Sequence, residues 1–166
     1  MAEHKHRDDL TGEHRLGDAG QIVLAILFGL IWVLDSFVLH RTTFLNDIVP
    51  LWIKVPLAVV LLVLAANLAR AGLSIVFGER REIPGVIREG VFGWVRHPIY
   101  LGEILLYAGF LMLSLSIAAM VIWLAGIVFL HTISRYEERL LLARFGEEYA
   151  HYMREVPMWI PRLRSR

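Results

Sequence analysis

The stretch GVFGWVRHPIYLGEIL, residues 90 to 105, places a guanidinium, an imidazole, a phenol and a carboxylate at the entrance of a long apolar run. Arg96 and His97 come first, Pro98 follows, and Tyr100 and Glu103 continue into the apolar residues. Proline suits the first position of a helix, which makes His97 its N-cap. The free amides of that first turn, with Arg96 beside them, favour an anion. His97, Tyr100 and Leu101 then fall on one face, at helical spacing. Gly102 carries no side chain, so another backbone or a flat ligand can come close. Two readings stand on the residues alone. One is a polar site at a membrane rim; the other is an interfacial anchor in which Arg96, Trp94 and Tyr100 face the headgroups.

Glu103 favours the first reading, since ionisable groups inside membrane helices are rare and usually functional or paired. Its alternative is an ion pair with an arginine of the preceding loop. A second constellation is Glu137-Glu138, flanked by Arg135 and Arg139. Two carboxylates there could hold the hydroxyls or the ammonium of a ligand, or could be a solvated helix face.

The elements that must position these groups are apolar blocks. The chain has 166 residues, of which 57% are hydrophobic, against about 45–50% in an ordinary soluble domain. Residues 21 to 39 give a helix of about 28 Å, close to the thickness of a bilayer core. Residues 48 to 69 form a second block containing Pro50, Lys54 and Pro56. Pro50 fits a first turn, Pro56 predicts a kink unless the helix starts there, and Lys54 is placed to snorkel. Residues 70 to 97 are too charged to span and read as an interfacial loop with one short helix. The run from Pro98 to Ile133 is too long for one crossing, and Leu113-Ser114-Leu115-Ser116 predicts a break that makes it a hairpin of two short helices (98–133). Residues 135 to 156 read as an amphipathic helix leaving the membrane.

The expected fold is therefore an all-α integral membrane protein with about four transmembrane helices and a C-terminal cytoplasmic amphipathic helix. Residues 1–20 read as a polar tail and 21–166 as a single membrane-embedded domain. The apolar segment comes late and lacks a cleavage pattern, so the first block is expected to stay in the protein. Fifteen of the 17 lysines and arginines lie in the tail, in 70–97 and in 134–166. The positive-inside rule puts these segments, and both termini, in the cytoplasm. The expected location is the cytoplasmic membrane of a prokaryotic cell.

With no cysteine, disulfides and thiolate chemistry are excluded. A net charge of +1 gives no reason to expect a nucleic acid. His4, His6 and His14 match no defined metal spacing, so no metal is expected. No P-loop, GxGxxG or GxSxG occurs. Of the remaining polar residues in apolar blocks, Asp35 is expected to reach water, and Asn67 and His131 to have packing roles.

VRHPIYLG, followed by Glu137-Glu138 and then FGEEYAHYMREVPMWIP, resembles the isoprenylcysteine carboxyl methyltransferase and phospholipid methyltransferase superfamily. The likeness covers residues 90 to 161. It implies that an RHPxYxG element and an EE pair bracket a helical hairpin and bind S-adenosylmethionine within residues 85–161. Carried over, it implicates Arg96, His97, Tyr100, Leu101 and Gly102 around the cofactor, with Glu137 and Glu138 at its other end. The implied partners are the bilayer and a lipophilic methyl acceptor. A carboxylate acceptor would need only a cation such as Arg135 or Arg96 to position it. An amine acceptor would need a base, for which Glu103 is the candidate. RHPxYxGE is also similar to part of the NADPH-dependent membrane sterol and isoprenoid reductases, which are generally longer. A non-enzymatic membrane scaffold is the third reading. Oligomeric state is open.

Overall fold

The computed structural model describes residues 15–78 and 85–161. These are all helical apart from turns and loops, and no strand occurs among them. Helix α1 spans Arg15–Val33 and continues as one π-helical segment, Leu34–Leu39, that ends at His40 in the left-handed conformation. Helix α2 spans Leu51–Gly78, α3 Pro98–Ser114, α4 Ile117–Phe145 and α5 Glu147–Glu155. Single 3₁₀ turns occupy Phe44–Asp47 and Gly90–Gly93. Among the described residues, three segments are long and apolar enough to cross a membrane: Gly17–Leu39, Leu51–Gly78 and Ile117–Phe145. Helix α3 is a shorter apolar helix.

Several expectations change. Helix α1 starts at Arg15, so residues 15–20 belong to the first membrane helix and not to the tail. The rest of the tail, with His4, His6 and His14, lies outside the described residues. Helix α2 carries Pro56 inside it and runs on to Gly78, taking Arg70 out of the expected loop. The break at 114–116 occurs as read: Ser114 ends α3, Leu115 is left-handed at φ 48°, and Ser116 caps α4 by accepting from the Ala119 amide. The second arm of the hairpin is not short, however. Helix α4 passes through residue 133 to Phe145, because nothing between Ile133 and Phe145 breaks a helix. The turn comes at Gly146, whose φ of 54° and ψ of −127° suit only glycine. The separate C-terminal helix is therefore confined to α5.

Helix α3 sits inside the bundle. It packs most extensively on α2, and small residues allow the approach. A Cβ on Gly102 would lie 3.2 Å from the Ala65 carbonyl oxygen, and one on Gly109 would lie 2.7 Å from Leu62. On its other sides, Tyr107 stacks on Phe28 of α1 at 4.5 Å between ring centres. Trp32 Nε1 donates to the Phe110 carbonyl, and Trp123 Nε1 of α4 donates to the Ile104 carbonyl, both at 3.0 Å. The apolar core is Leu24, Phe28, Tyr107, Leu111 and Ala119.

A polar knot closes one end. Asp35 is buried, not hydrated as its position near a helix end suggested. Its carboxylate accepts from the Arg41 and Thr42 amides at 3.0 and 3.1 Å, from Thr42 Oγ1, and from Ser116 Oγ at 2.6 Å. Lys54 does not snorkel either. It is buried, and its Nζ donates to the backbone and side-chain oxygens of Asn46. The opposite end of the bundle carries the site.

Candidate active site

At that end the first turn of α3, the last turns of α2 and α4, the start of α1, the 85–92 loop and α5 enclose a cavity of about 360 Å³. Volumes of this order suit small-molecule sites. Pro98 is the first residue of α3 as expected, and His97 stands at the N-cap position. The imidazole does not cap the helix. It turns towards α4 and places Nε2 3.2 Å from Glu138 Oε1 and Nδ1 3.7 Å from Glu137 Oε2. Its ring stacks on Tyr100, nearly parallel, at 5.6 Å between centres. The Tyr100 hydroxyl donates to Glu137 Oε1.

Adjacent residues on a helix point about 100° apart, which divides the two acids. Glu137 faces the cavity. Glu138 points behind it and is buried, holding Arg96 Nε at 2.7 Å. Arg96 Nη1 donates to the carbonyls of Met153 (3.0 Å) and Val156. The Arg96 and His97 amides donate to the carbonyls of Pro157 and Met158, at 2.9 and 3.3 Å. The C-terminal segment thus straps the RHP element from behind while Glu138 holds it from α4. One oxygen, Glu138 Oε2, is buried without a hydrogen bond, as are Ser134 Oγ and Trp159 Nε1.

The aromatic wall comes from α5. Tyr149 and Tyr152, at i and i+3, are buried and line the cavity with Phe92. Burial pushes both phenols above their ordinary ionisation range. The Tyr152 hydroxyl donates to the Phe92 carbonyl at 2.7 Å, fixing the loop against the helix.

Of the residues singled out from the sequence, Arg96, His97, Tyr100 and Glu137 line the cavity. Glu138 stands one layer back. Gly102 faces α2, so the backbone that approaches it belongs to Ala65 and Ala69. Leu101 is half-buried and is not among the lining residues. Glu103 accepts from the Tyr107 hydroxyl one turn further along α3, at 2.7 Å, and does not line the cavity. No loop arginine pairs with it among the described residues. Arg135 is 54% exposed and reaches only the rear of the acid pair, 3.9 Å from Glu138 Oε2. Asn67 donates to the Val63 carbonyl of its own helix, and the His131 ring meets Trp159 edge-on.

Sequence reasoning missed Asp18 and Gln21, which α1 brings to the cavity. Their three-residue spacing on one helix face was the available signal, hidden because residues 15–20 read as tail. It also missed Tyr149 and Tyr152, whose spacing in EEYAHYM marks one face of a helix.

The sequence profile of the phospholipid methyltransferase family matches residues 57–148. Among similar curated proteins, methanethiol S-methyltransferase 2 of Bradyrhizobium diazoefficiens is 36% identical over 72 residues, 43% of this chain and 27% of its own length. Protein-S-isoprenylcysteine O-methyltransferase of Mus musculus is 33% identical over 88 residues, 52% of this chain and 31% of its own. Methanethiol S-methyltransferase of Crocosphaera subtropica is 27% identical over 143 residues, 86% of this chain and 48% of its own. The chain spans less than half the length of each of these relatives.

Proposed function

The chain belongs to the phospholipid methyltransferase family, and from that premise we propose that it transfers a methyl group from S-adenosylmethionine to a lipophilic acceptor drawn from the bilayer. The observation that carries this reading is the cavity itself. Its floor is the RHP element and Glu137, its wall is aromatic, and its other sides are the ends of membrane helices.

The residues present fit the donor. A sulfonium nucleoside bears positive charge, a ribose and a flat base. Glu137 supplies a carboxylate, Tyr100 a hydroxyl, and Phe92, Tyr149 and Tyr152 aromatic surface. When bound, this cofactor supplies an already activated methyl group. The chain's own task is then to orient two reactants and keep water out. Arg96 and Glu138 hold the RHP element rigid from behind, and His97 and Tyr100 hold Glu137 in place. Leu73, Val76 and Ile99 present the apolar surface on which a lipid chain can lie.

In the same reading α3 is a fourth crossing of about 26 Å, α5 lies at the membrane surface, and the cavity opens on the cytoplasmic face with both termini. The arginines support this: Arg88, Arg96, Arg135, Arg139, Arg144 and Arg154 lie in the elements around the cavity, while Arg41 and Lys54 lie near the Asp35 knot.

The test is incubation of the full chain in detergent with labelled S-adenosylmethionine and membrane lipid extract, beside binding of S-adenosylhomocysteine. Labelled lipid, with binding weakened by His97→Ala and Glu138→Ala, is the expected result. Binding of NADPH instead would give the cavity to a reductase. No binding of any adenosyl cofactor would leave a scaffold.

A further inference from the structure

Charged and amide side chains on the lipid-facing side of a membrane helix are rare, because such groups ordinarily turn to the bundle interior. Helix α2 breaks this pattern. It buries Ala58, Ala65 and Gly72, and α3 packs on that face. A Cβ at Gly102 would meet the Ala65 carbonyl, and one at Gly72 would meet Ile99 and Pro98. At about 100° per residue, Asn67, Arg70 and Ser74 point roughly the opposite way, and all three are exposed. None of them lines the cavity, to which α2 contributes Leu73 and Val76. Towards the Asp35 end the same stripe continues as exposed Val63 and Val60.

The three polar groups offer different atoms. Arg70 is always charged and has no hydrogen bond or ion pair with another described residue. Asn67 Nδ2 donates one hydrogen to the Val63 carbonyl at 2.8 Å and keeps a second. Ser74 Oγ donates to the Ala71 carbonyl at 3.0 Å, which leaves its lone pairs to accept. Gly72 sits against the first residues of α3, so Arg70 and Ser74 stand at the height where α3 begins, and Asn67 lies deeper. From depth outwards the stripe presents apolar surface, an amide donor, a cation and a hydroxyl acceptor. Amide and cation are about 4.5 Å apart along the axis, cation and hydroxyl about 6 Å. A glycerophospholipid presents acyl chains, ester carbonyls, a phosphodiester and a headgroup in that same order.

We propose that this face of α2 holds one glycerophospholipid from the leaflet on the cavity side, with an anionic phosphodiester and a hydroxyl-bearing headgroup such as glycerol. An acyl chain lies along Val60 and Val63, and an ester carbonyl accepts from Asn67. The phosphodiester pairs with Arg70, and a headgroup hydroxyl donates to Ser74 Oγ. A guanidinium holds two phosphate oxygens at once, which gives the pair direction as well as charge. Anionic lipids are drawn to basic side chains at this depth. The bound lipid is not the methyl acceptor, since it sits away from the cavity. Its role is to fix the depth and rotation of the helix that carries Leu73 and Val76 to the cavity wall. The site is independent of the reaction performed there.

In the experiment the full chain in detergent is titrated with dioleoylphosphatidylglycerol, its dialkyl-ether analogue and dioleoylphosphatidylcholine. Retention is read by native mass spectrometry and by thermal unfolding. The parent should retain one phosphatidylglycerol per chain and bind it at least about tenfold more tightly than phosphatidylcholine. Arg70→Gln should abolish that preference, and Arg70→Lys, a point charge without the fork, should keep part of it. Asn67→Leu should weaken binding of the ester lipid by about threefold, the scale of one hydrogen bond, and leave the ether lipid unchanged. Arg139→Gln removes a cation that is also exposed, on α4, and should change nothing. Equal losses in Arg70→Gln and Arg139→Gln would reduce the effect to general attraction between basic surface and anionic lipid, and would overturn the proposal. So would a parent with no preference for phosphatidylglycerol, or an Arg70→Gln variant that keeps it. Equal weakening of ester and ether lipids by Asn67→Leu would overturn the placement of the ester. Dimerisation of the parent that is lost on Arg70→Gln, with no lipid retained by either, would give the face to a second copy of the chain and overturn the proposal as well.

Discussion

Arg96 and Glu138 stand 42 residues apart in sequence and 2.7 Å apart in space, Nε to Oε1, with both side chains almost wholly out of water. The pair joins the start of α3 to the last third of α4, so it fixes one end of the hairpin whose other end is the Leu115 turn. Removing one charge from a buried pair leaves the other uncompensated, at a cost of about 3–5 kcal/mol.

Glu138→Gln should accordingly lower thermal stability in detergent by an amount in that range and abolish S-adenosylhomocysteine binding. The double change Arg96→Met with Glu138→Leu separates the two effects. Replacing both charges by apolar groups should recover most of the stability, since neither is then stranded. Ligand binding should stay lost, because Arg96 no longer draws the RHP element onto the Met153 and Val156 carbonyls. Recovery of binding in the double variant would show that the pair only stabilises the fold.

Glu103→Gln tests the opposite expectation. The amide keeps an oxygen to accept from the Tyr107 hydroxyl, so the bond at 2.7 Å survives in kind. Methyl transfer should stay within about twofold of the parent, because the group touches no cavity atom and a retained hydrogen bond costs little. A loss of a hundredfold or more, with fold and cofactor binding intact, would return Glu103 to the chemistry.

How far the sequence was legible depends on how local each signal was. Pro98 opening α3 and the Ser114-Leu115-Ser116 break were readable, since proline and a small polar cluster act on their own backbone. The Asp35 knot was not. Its partner Ser116 lies 81 residues away, so an acid near a helix end looked hydrated. The Glu137-Glu138 pair could be located but not divided, because a 100° step between neighbours has meaning only once α3 is in place. Asp18 was hidden by composition: four turns of apolar helix follow it, and the charges before it made the whole segment read as tail.

Gly102 and Gly29 make a matched comparison. A Cβ at Gly102 would lie 3.2 Å from the Ala65 carbonyl oxygen, which belongs to a helix backbone and cannot swing aside. A Cβ at Gly29 meets nothing within 4 Å. Gly102→Ala should therefore destabilise by about 1–3 kcal/mol through overpacking. Gly29→Ala should be neutral or stabilising by up to about 1 kcal/mol, the helix-propensity gain. Thermal unfolding of both variants in one detergent checks the sign of each.

Asp35→Asn probes the end of the bundle remote from the cavity. The carboxylate accepts four hydrogen bonds from two amides and two hydroxyls. An amide has one oxygen, so two of those donors lose their acceptor, at about 1–3 kcal/mol for buried groups. Asp18 and Asp35 are 17 residues apart on one helix, or about 25 Å. The variant should therefore unfold at lower temperature, yet bind S-adenosylhomocysteine with unchanged affinity while folded. Weakened binding would mean that the knot sets the pitch of α1 at the cavity.

The C-terminal segment supplies the last prediction. Beyond α5, the carbonyls of Val156, Pro157 and Met158 accept from the Arg96 side chain and from the Arg96 and His97 amides. No side chain of this segment need be special for that, since the acceptors are backbone. Ending the chain after Glu155 removes three of the four carbonyls that receive Arg96 and His97 and retains only that of Met153. The orphaned amides then face the rear of the site, each at a cost of about 1–3 kcal/mol. The truncated chain should keep its helical circular dichroism, because α1 to α4 pack without the segment. It should lose S-adenosylhomocysteine binding by at least about tenfold. Single substitutions that preserve the backbone, Met158→Leu among them, should leave binding within about twofold, since the carbonyls remain. Full binding by the truncated chain would show that Glu138 alone suffices to hold the RHP element.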